Sequence, residues 1–321
     1  MVSIVIPNYN GSSLLKKCLV RIEKLYASSN FVYEIIVVDN GSVDDDYSWI
    51  SRFSYATFVK LDKNYGFSRA VNEGIYLSKM KYVLLLNNDT IICKNFLENL
   101  VYAIEKDKKI FSVSSKMVQY HNPNLIDDAG DEYNILGWTL KVGDGENISK
   151  YKKERKVFST CAGAGLYRKS VFKKIGYFDE NFFAYMEDVD ISYRAKIYGY
   201  YNVYCPTAKV YHYGSATSGS RYNEFKVRLA AQNNILVPYK NMTSIQLILN
   251  SPFLILGFLV KYIFFRKKGF GEYYLTGIKD GFAKMPDVKK VKYQKSHNKN
   301  YINIQLELYK NTIKFILSKL G

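Results

Sequence analysis

Tyr82-Val83-Leu84-Leu85-Leu86 is an unbroken apolar run that stops at Asn87-Asn88-Asp89-Thr90. An apolar run of this length without polar alternation fits a central parallel strand covered on both faces, the mark of an α/β sheet. Ligands of open α/β sheets bind just beyond the carboxyl ends of such strands. Asp89 therefore stands where a metal ion or a polar ligand would be held. Asp and Thr also cap helices well, so the same four residues fit the start of a helix.

The flanking sequence repeats the pattern. Val2-Ser3-Ile4-Val5-Ile6 is β-rich and runs into the loop Pro7-Asn8-Tyr9-Asn10-Gly11. Ser12 or Ser13 is placed to cap a helix whose apolar face is Leu14, Leu15, Cys18, Leu19, Ile22 and Leu25. A strand over 33–38 ends in Asp39-Asn40-Gly41-Ser42, a short one covers 57–60, and Asn64 to Arg69 leads into a helix through about Met80. After the central strand come a helix near 95–107 and a strand near 110–118. Strands alternating with helices predict a parallel, doubly wound sheet. Three of its strands end in loops rich in Asn, Asp, Gly and Ser, an edge that looks like a nucleotide site. Neither GxGxxG after the first strand nor GxxxxGK[ST] is present, so phosphates would be held through a metal ion and basic side chains.

Regularity fades over 121–156, where Asp127-Asp128-Ala129-Gly130-Asp131-Glu132 and Gly143-Asp144-Gly145-Glu146 alternate with Trp138 and a Lys-rich run. A loop this long in a compact domain is functional or mobile. Cys161-Ala162-Gly163-Ala164-Gly165 offers a backbone without bulk, suited to a ligand or to tight packing of strand on helix. Acids then introduce a helix over 189–198, closed by Gly199, where they suit the helix dipole. Glu187 and Asp188 also follow a cluster of aromatics, and carboxylates beside apolar walls make proton acceptors of tuned pKa. A strand over 202–205 and Pro206 lead to Val210-Tyr211-His212-Tyr213-Gly214-Ser215. His212 is one of three histidines and fits a structural role or a ligand's.

The 321 residues suffice for one large α/β domain with an appendage, or for two domains. The net charge of +17 is unevenly spread. Residues 1–220 carry 28 Lys+Arg against 24 Asp+Glu, and residues 221–321 carry 18 against 5. The basic C-terminal hundred residues point to an anionic surface, nucleic acid or lipid headgroups. The four cysteines, Cys18, Cys93, Cys161 and Cys205, lack CxxC spacing and read as small buried hydrophobes in a reducing compartment. The chain opens directly on a strand, so a cytoplasmic protein without a signal peptide is expected.

Six segments in this order resemble a family-2 glycosyltransferase with the GT-A fold, over roughly residues 2–215. They are Val5-Ile6-Pro7-Asn8-Tyr9-Asn10, Val37-Val38-Asp39-Asn40-Gly41-Ser42, Asn64-Tyr65-Gly66-Phe67, Leu85-Leu86-Asn87-Asn88-Asp89-Thr90, Gly176-Tyr177-Phe178-Asp179-Glu180 and Glu187-Asp188-Val189-Asp190. Their flavour is that of the rhamnosyltransferase-like branch, which builds surface glycans. The resemblance implies that Pro7, Tyr9, Asn10 and Asp39 hold the base and ribose of a nucleoside-diphosphate sugar, dTDP- or UDP-linked. It implies that Asn64, Arg69 and Asn72 line the nucleotide pocket, with Arg69 near the diphosphate. Asn87, Asn88 and Asp89 take the place of the DxD motif, with Asp89 binding Mg²⁺ or Mn²⁺ and His212 as a second metal ligand. Asp188 would be the catalytic base and Glu187 would orient the acceptor. Asn87 departs from the pattern by replacing the first acid of DxD, and His212, which favours Mn²⁺ over Mg²⁺, compensates for the missing carboxylate.

The expected division is a GT-A catalytic domain over 1–220 and a basic helical region over 221–321. Within the latter, residues 245–265 are largely apolar, but Asn250, Pro252 and Lys261 interrupt them and Arg266-Lys267-Lys268 follow. A spanning helix needs about 20 mostly apolar residues. An interfacial helix on an anionic leaflet fits better, with a buried helix as the alternative. A polar link over 284–299 and a last helix over 302–320 complete the chain. The expectation is thus a peripheral enzyme on the inner face of the cell membrane, with a glycan or polyprenyl-linked acceptor and no nucleic-acid partner. Two other classes compete. A sugar-nucleotide nucleotidyltransferase needs a basic first loop, yet no base occurs between Asn8 and Lys16. A non-catalytic nucleic-acid binder needs its basic residues on the folded domain rather than in the tail.

Overall fold

The structure is a computed structural model and describes residues 1–43, 46–214 and 222–320. Ser215 and the domain boundary expected after residue 220 lie outside the described residues.

The first half winds β1 (Val2–Asn8), α1 (Ser12–Tyr26), β2 (Tyr33–Asp39), β3 (Ala56–Lys60), α2 (Phe67–Leu77) and β4 (Tyr82–Leu86). β1 lies parallel to both β2 and β4, and β2 parallel to β3. Side chains of β4 alternate between two cores. Tyr82, Leu84 and Leu86 join α1 and α3 (Phe96–Glu105) on one face, and Val83 and Leu85 join α2 on the other. This two-sided burial is why the run is apolar at every position. α1 starts at Gly11 without a side-chain cap, contrary to the serine cap expected, because the Ser12 hydroxyl donates instead to the Asp46 carbonyl.

Thr90 does not begin a helix. It opens β5 (Thr90–Ile92), ahead of α3 and then β6 (Ile110–Gln119). The region expected to be irregular contains β7 (Ile126–Asp128), β8 (Asp131–Tyr133), β9 (Thr139–Lys141) and β10 (Arg155–Val157). β7 pairs with β6, and β8 with β9 as a separate ribbon. The chain continues through β11 (Ala164–Arg168), α4 (Lys169–Ile175), α5 (Glu187–Ile197) and β12 (Tyr201–His212). The main path of the sheet runs β10-β12-β6-β11-β4-β1-β2-β3. It is mostly parallel, as expected, but β11 is antiparallel to both β4 and β6. β12 continues past Pro206 to His212, with a break in register between Cys205 and Lys209 that accommodates the proline.

Among the described residues four α-helices follow: α6 (Glu224–Asn241), α7 (Ser244–Lys267), α8 (Gly271–Lys284) and α9 (Asn298–Leu320). They share a core with the sheet domain, in which Leu236, Val237, Tyr301, Ile304 and Leu308 pack with Tyr133, Phe182, Val189 and Tyr193. α7 runs unbroken through Asn250 and Pro252. A proline deprives the carbonyl four residues earlier of its donor; here that carbonyl is Ile248, and the Ser251 hydroxyl donates to it at 2.9 Å.

The orientation of α7 reverses the ordinary rule for a helix on a globular protein. Its buried residues are Gln246, Asn250, Leu254 and Gly257, whereas Ile245, Ile248, Leu249, Ile255, Leu256, Leu259 and Ile263 are exposed. The inward polar stripe is satisfied: Asn250 and Gln305 of α9 exchange amide hydrogen bonds at 3.0 and 2.7 Å, and the Trp138 indole donates to the Gly257 carbonyl at 3.2 Å. Gly257 is required there, since a Cβ would lie 2.2 Å from the Leu136 carbonyl oxygen. The buried-helix alternative is therefore not what the chain adopts. α7 is long and apolar enough to cross a membrane by length and composition.

Candidate active site

At the exit of β4 the Asn87 N–H donates to the Gly163 carbonyl at 2.8 Å, and the Thr90 hydroxyl donates to the Asn87 carbonyl at 2.6 Å. The chain thereby turns into β5, which pairs antiparallel with β12 so that Thr90 lies opposite His212. The Tyr213 N–H donates to the Asp89 carbonyl at 3.0 Å. This pairing brings together two residues distant in sequence: His212 Nε2 is 3.3 Å from Asp89 Oδ2. On its other side His212 Nδ1 is 2.9 Å from Asp127 Oδ2, and Lys141 Nζ stands 3.4 Å from the same oxygen. Burial acts to lower the His212 pKa, but the hydrogen bonds to Asp127 and Asp89 outweigh it and bring it up to about 9. Burial acts to raise Asp127, and His212 with Lys141 outweighs it, leaving about 2.

Asp89 Oδ1 is buried and has no hydrogen-bond partner. An orphaned carboxylate oxygen is costly in a protein interior, and a divalent cation would satisfy it. Oxygen and imidazole donors together suit Mn²⁺, or Mg²⁺ with more of its own water. Among the described residues no group of three or more His, Cys, Asp or Glu side chains is placed to hold a metal ion. The donor set of Asp89 and His212 would fit only an open site, with its remaining ligands supplied from outside the protein. Asp127 then takes the position of an outer carboxylate that fixes the imidazole tautomer.

The expected nucleotide side lies at the ends of β1 and β2. The Asp39 carboxylate is fully buried and accepts from Asn8 Nδ2 at 3.1 Å, from the Tyr47 hydroxyl at 2.6 Å and from the Ser42 hydroxyl. Asn8 in turn accepts from Asn88 Nδ2 at 2.6 Å, which ties this loop to the end of β4. Asn40 Nδ2 donates to Asn64 Oδ1 at 2.9 Å and to the Gly66 carbonyl at 3.1 Å, so Asn64 is positioned from the β2 loop. Asn10 is exposed with φ 49°, and its backbone N–H donates to Ser42 at 2.8 Å. Pro7 and Tyr9 are partly exposed. Two residues stand apart. Asn72 is buried, with its amide bonded to the Phe178 carbonyl at 2.8 Å and to Glu180 at 3.2 Å. The Arg69 guanidinium is paired with Glu73 at 2.5 Å and Glu180 at 3.3 Å.

Glu187 and Asp188 occupy the first turn of α5, which begins two residues earlier than its sequence suggests. The Asp188 carboxylate accepts from the Val189 N–H at 2.8 Å and from the backbone of Ala162. Ala162 is adjacent to Gly163, whose carbonyl anchors Asn87, so a single turn touches both the end of β4 and Asp188. A Cβ on Gly163 would sit 3.1 Å from the Asn87 amide, which accounts for the missing bulk there. Burial raises Asp188 to about 6 against the pull of those backbone N–H groups, with nearby Asp128 adding repulsion. Burial, then the charge of Asp188, pushes Glu187 well above the carboxylate range, and its Oε2 is buried without a partner. Asp128 and Asp131 are also buried and raised, first by burial. Sequence reading gave no roles to Asp127, Asp128 or Asp131. Their only signal is the acid run broken by Gly130, without a period to show which side chains converge.

A family model described as glycosyl transferase family 2 matches residues 3–176, more than half of the chain. The poly-beta-1,6-N-acetyl-D-glucosamine synthase of Staphylococcus epidermidis is 26% identical over 236 residues, covering 71% of this chain and 53% of that protein. The chain thus spans about half the length of that relative. The low-salt glycan biosynthesis hexosyltransferase Agl10 of Haloferax volcanii is 26% identical over 279 residues, covering 83% and 85%. In fold, the chain is similar to the mannosyltransferase PcManGT from Pyrobaculum calidifontis, solved in complex with GDP-Man and Mn²⁺. Its TM-score is 0.55 at 14% identity, covering 99% of this chain and 87% of that one. The fold is of the GT-A type, with Asp39 and Asp89 at or just past the ends of β2 and β4. The chain belongs to glycosyl transferase family 2.

Proposed function

We propose that the protein is an inverting, metal-dependent glycosyltransferase of the rhamnosyltransferase-like branch. It moves a sugar from a dTDP- or UDP-linked donor to a hydroxyl of a glycan or polyprenyl-linked acceptor in the assembly of a surface polysaccharide or glycoprotein glycan. The observation that carries this reading is the orphaned Asp89 oxygen beside His212, linked through the 161–163 turn to a second carboxylate, Asp188, raised to about 6.

Asp89 and His212 would hold Mg²⁺ or Mn²⁺, which when bound would neutralise charge building on the leaving diphosphate. The loops bearing Pro7, Tyr9, Asn10 and Asn64, shaped from beneath by Asp39 and Asn40, receive the nucleoside, and Asn87 and Asn88 line the route to the diphosphate. Arg69, already paired with Glu73 and Glu180, offers its remaining N–H groups toward the diphosphate, and Asn72 acts by holding Phe178 and Glu180. Asp188 takes the proton from the acceptor hydroxyl as that oxygen attacks the anomeric carbon from the face opposite the diphosphate, which inverts the centre. A base with a pKa near 6 is ionised at neutral pH and still basic enough to accept a proton. Glu187, whose pKa burial and the charge of Asp188 push upward, orients the acceptor beside it.

The catalytic unit corresponds to residues 1–220. The helices beyond it seat the enzyme on the inner face of the cell membrane. The outward apolar face of α7, followed by Arg266-Lys267-Lys268 in a region carrying 18 basic against 5 acidic residues, suits an anionic leaflet. Its polar stripe is bonded to α9 and Trp138, so it lies in the interface rather than crossing. Release of nucleoside diphosphate from UDP-N-acetylglucosamine, UDP-galactose, dTDP-rhamnose and GDP-mannose, with and without Mn²⁺, tests the reading. Mn²⁺-dependent turnover of at least one donor is expected, and indifference to all of them with metal present refutes it.

A further inference from the structure

The segment leading into α5 is the most strained of the described chain. Phe183 (φ 56°, ψ −67°), Tyr185 (φ 68°) and Met186 (φ 65°) are all non-glycine residues at positive φ. The Ala184 N–H donates to the Phe182 carbonyl at 2.6 Å across Phe183, closing a γ-turn of the rarer and strained form. Such clusters persist only where the surroundings hold them, and they collect at active sites. Here they immediately precede Glu187 and Asp188.

One side chain from the C-terminal helices binds three backbone carbonyls of this segment. Asn233 of α6 is fully buried, and its Nδ2 lies 2.9 Å from the Phe182 carbonyl, 2.9 Å from that of Ala184 and 2.7 Å from that of Tyr185. Its own carbonyl accepts from Gln232 at 3.2 Å. The opposite side of the same segment rests on the expected nucleotide loop. The Ser68 N–H donates to the Phe183 carbonyl at 3.1 Å, and a Cβ on Gly66 would approach that oxygen to 2.6 Å. Residues 182–186 are therefore wedged between the Asn64–Gly66 turn and α6, with the carboxylates at their downstream end.

We propose that Asn233 is a positioning residue for glycosyl transfer, its amide locking residues 182–186 in the strained turn that sets Glu187 and Asp188 against the donor loop. This rests on the reading of Asp188 as the base. The Ala184 N–H also donates to the Phe182 carbonyl, but that bond lies within the turn; Asn233 ties three of its carbonyls to α6, so its removal frees the turn to relax toward ordinary backbone angles.

The test uses the full chain and three readouts: backbone amide exchange over 182–187, affinity for UDP with Mn²⁺ by calorimetry, and kcat on whichever of the four donors turns over fastest. Asn233→Ala is expected to speed exchange in 182–187 at least tenfold while leaving β1–β4 protected. It is expected to lower kcat at least tenfold and to keep the UDP affinity within twofold. Adding Tyr185→Gly, which relieves one positive φ, is expected to recover at least threefold of the lost kcat, a rescue that general destabilisation would not give. If Asn233→Ala does not fold, Asn233→Asp, of equal size but lacking the donors, is measured in the same way. Unchanged exchange in 182–187, or kcat within twofold of the parent, overturns the proposal. Asp188→Asn run alongside separates the two ideas: its full activity sinks the base assignment, whereas full activity of Asn233→Ala beside an inactive Asp188→Asn sinks the clamp alone.

Discussion

Asp127 meets His212 on the side away from Asp89 and decides which imidazole nitrogen faces the proposed cation position. Asp127→Asn keeps the shape and removes the charge, and loss of such an outer carboxylate weakens metal binding by roughly 10–100-fold. Calorimetric titration with Mn²⁺ measures this, and an unchanged affinity would contradict the role. As the proposed base, Asp188 would set the pH profile. With its pKa raised to about 6, the base is ionised above that value and protonated below it. The kcat is expected to be flat above neutrality and to fall about tenfold per pH unit once pH drops below about 6; an acid limb near 4 would contradict the buried environment. At this scale Asp89, His212, Glu187 and Asp188 were picked out as candidates in the sequence because unusual side chains stood at strand and helix ends. Asp127 and Asn233 were not, because their meaning depends on pairing between β5 and β12 and on α6 packing across the loop.

α5 is fixed to α6 by a fully buried carboxylate. Asp190 accepts from Arg194 at 2.7 Å, Lys240 at 2.9 Å and Asn241 at 2.8 Å. Burial alone would raise it, but Arg194 and Lys240 outweigh that and hold it at about 2. Its folded pKa is depressed, so its contribution is complete above the ordinary aspartate value of 3.8 and is lost as pH falls from there toward about 2. Asp190→Asn leaves Arg194 and Lys240 buried without their counter-charge, and breaking such a pair costs on the order of 3–5 kcal/mol. Urea unfolding at pH 7 reads this, and a loss below about 1 kcal/mol would show that α5 and α6 are held mainly by apolar packing. Element order was largely legible from hydrophobic period. The exceptions have local causes: β11 runs antiparallel, short strands over 126–157 carry no period, and Ser251 lets α7 pass through Pro252.

For the whole molecule, the charge division between residues 1–220 and 221–321 was readable from composition. The inside-out orientation of α7 was not, because a stripe of Gln246, Asn250 and Gly257 within an apolar run signals a partner without naming it. Sedimentation of the full chain with vesicles of anionic lipid at low salt is expected to be strong, to weaken as salt screens the basic residues, and to be slight with neutral vesicles. Absence of binding to anionic vesicles would remove the membrane from the account.

The account stands most directly on one comparison: Mn²⁺-dependent sugar transfer by Asp188→Asn beside the parent chain, with UDP affinity measured on both. A positioned base contributes roughly 10²–10⁴-fold, so transfer is predicted to fall by at least a hundredfold while UDP with Mn²⁺ binds as before. Transfer at the parental rate by the asparagine variant would contradict it.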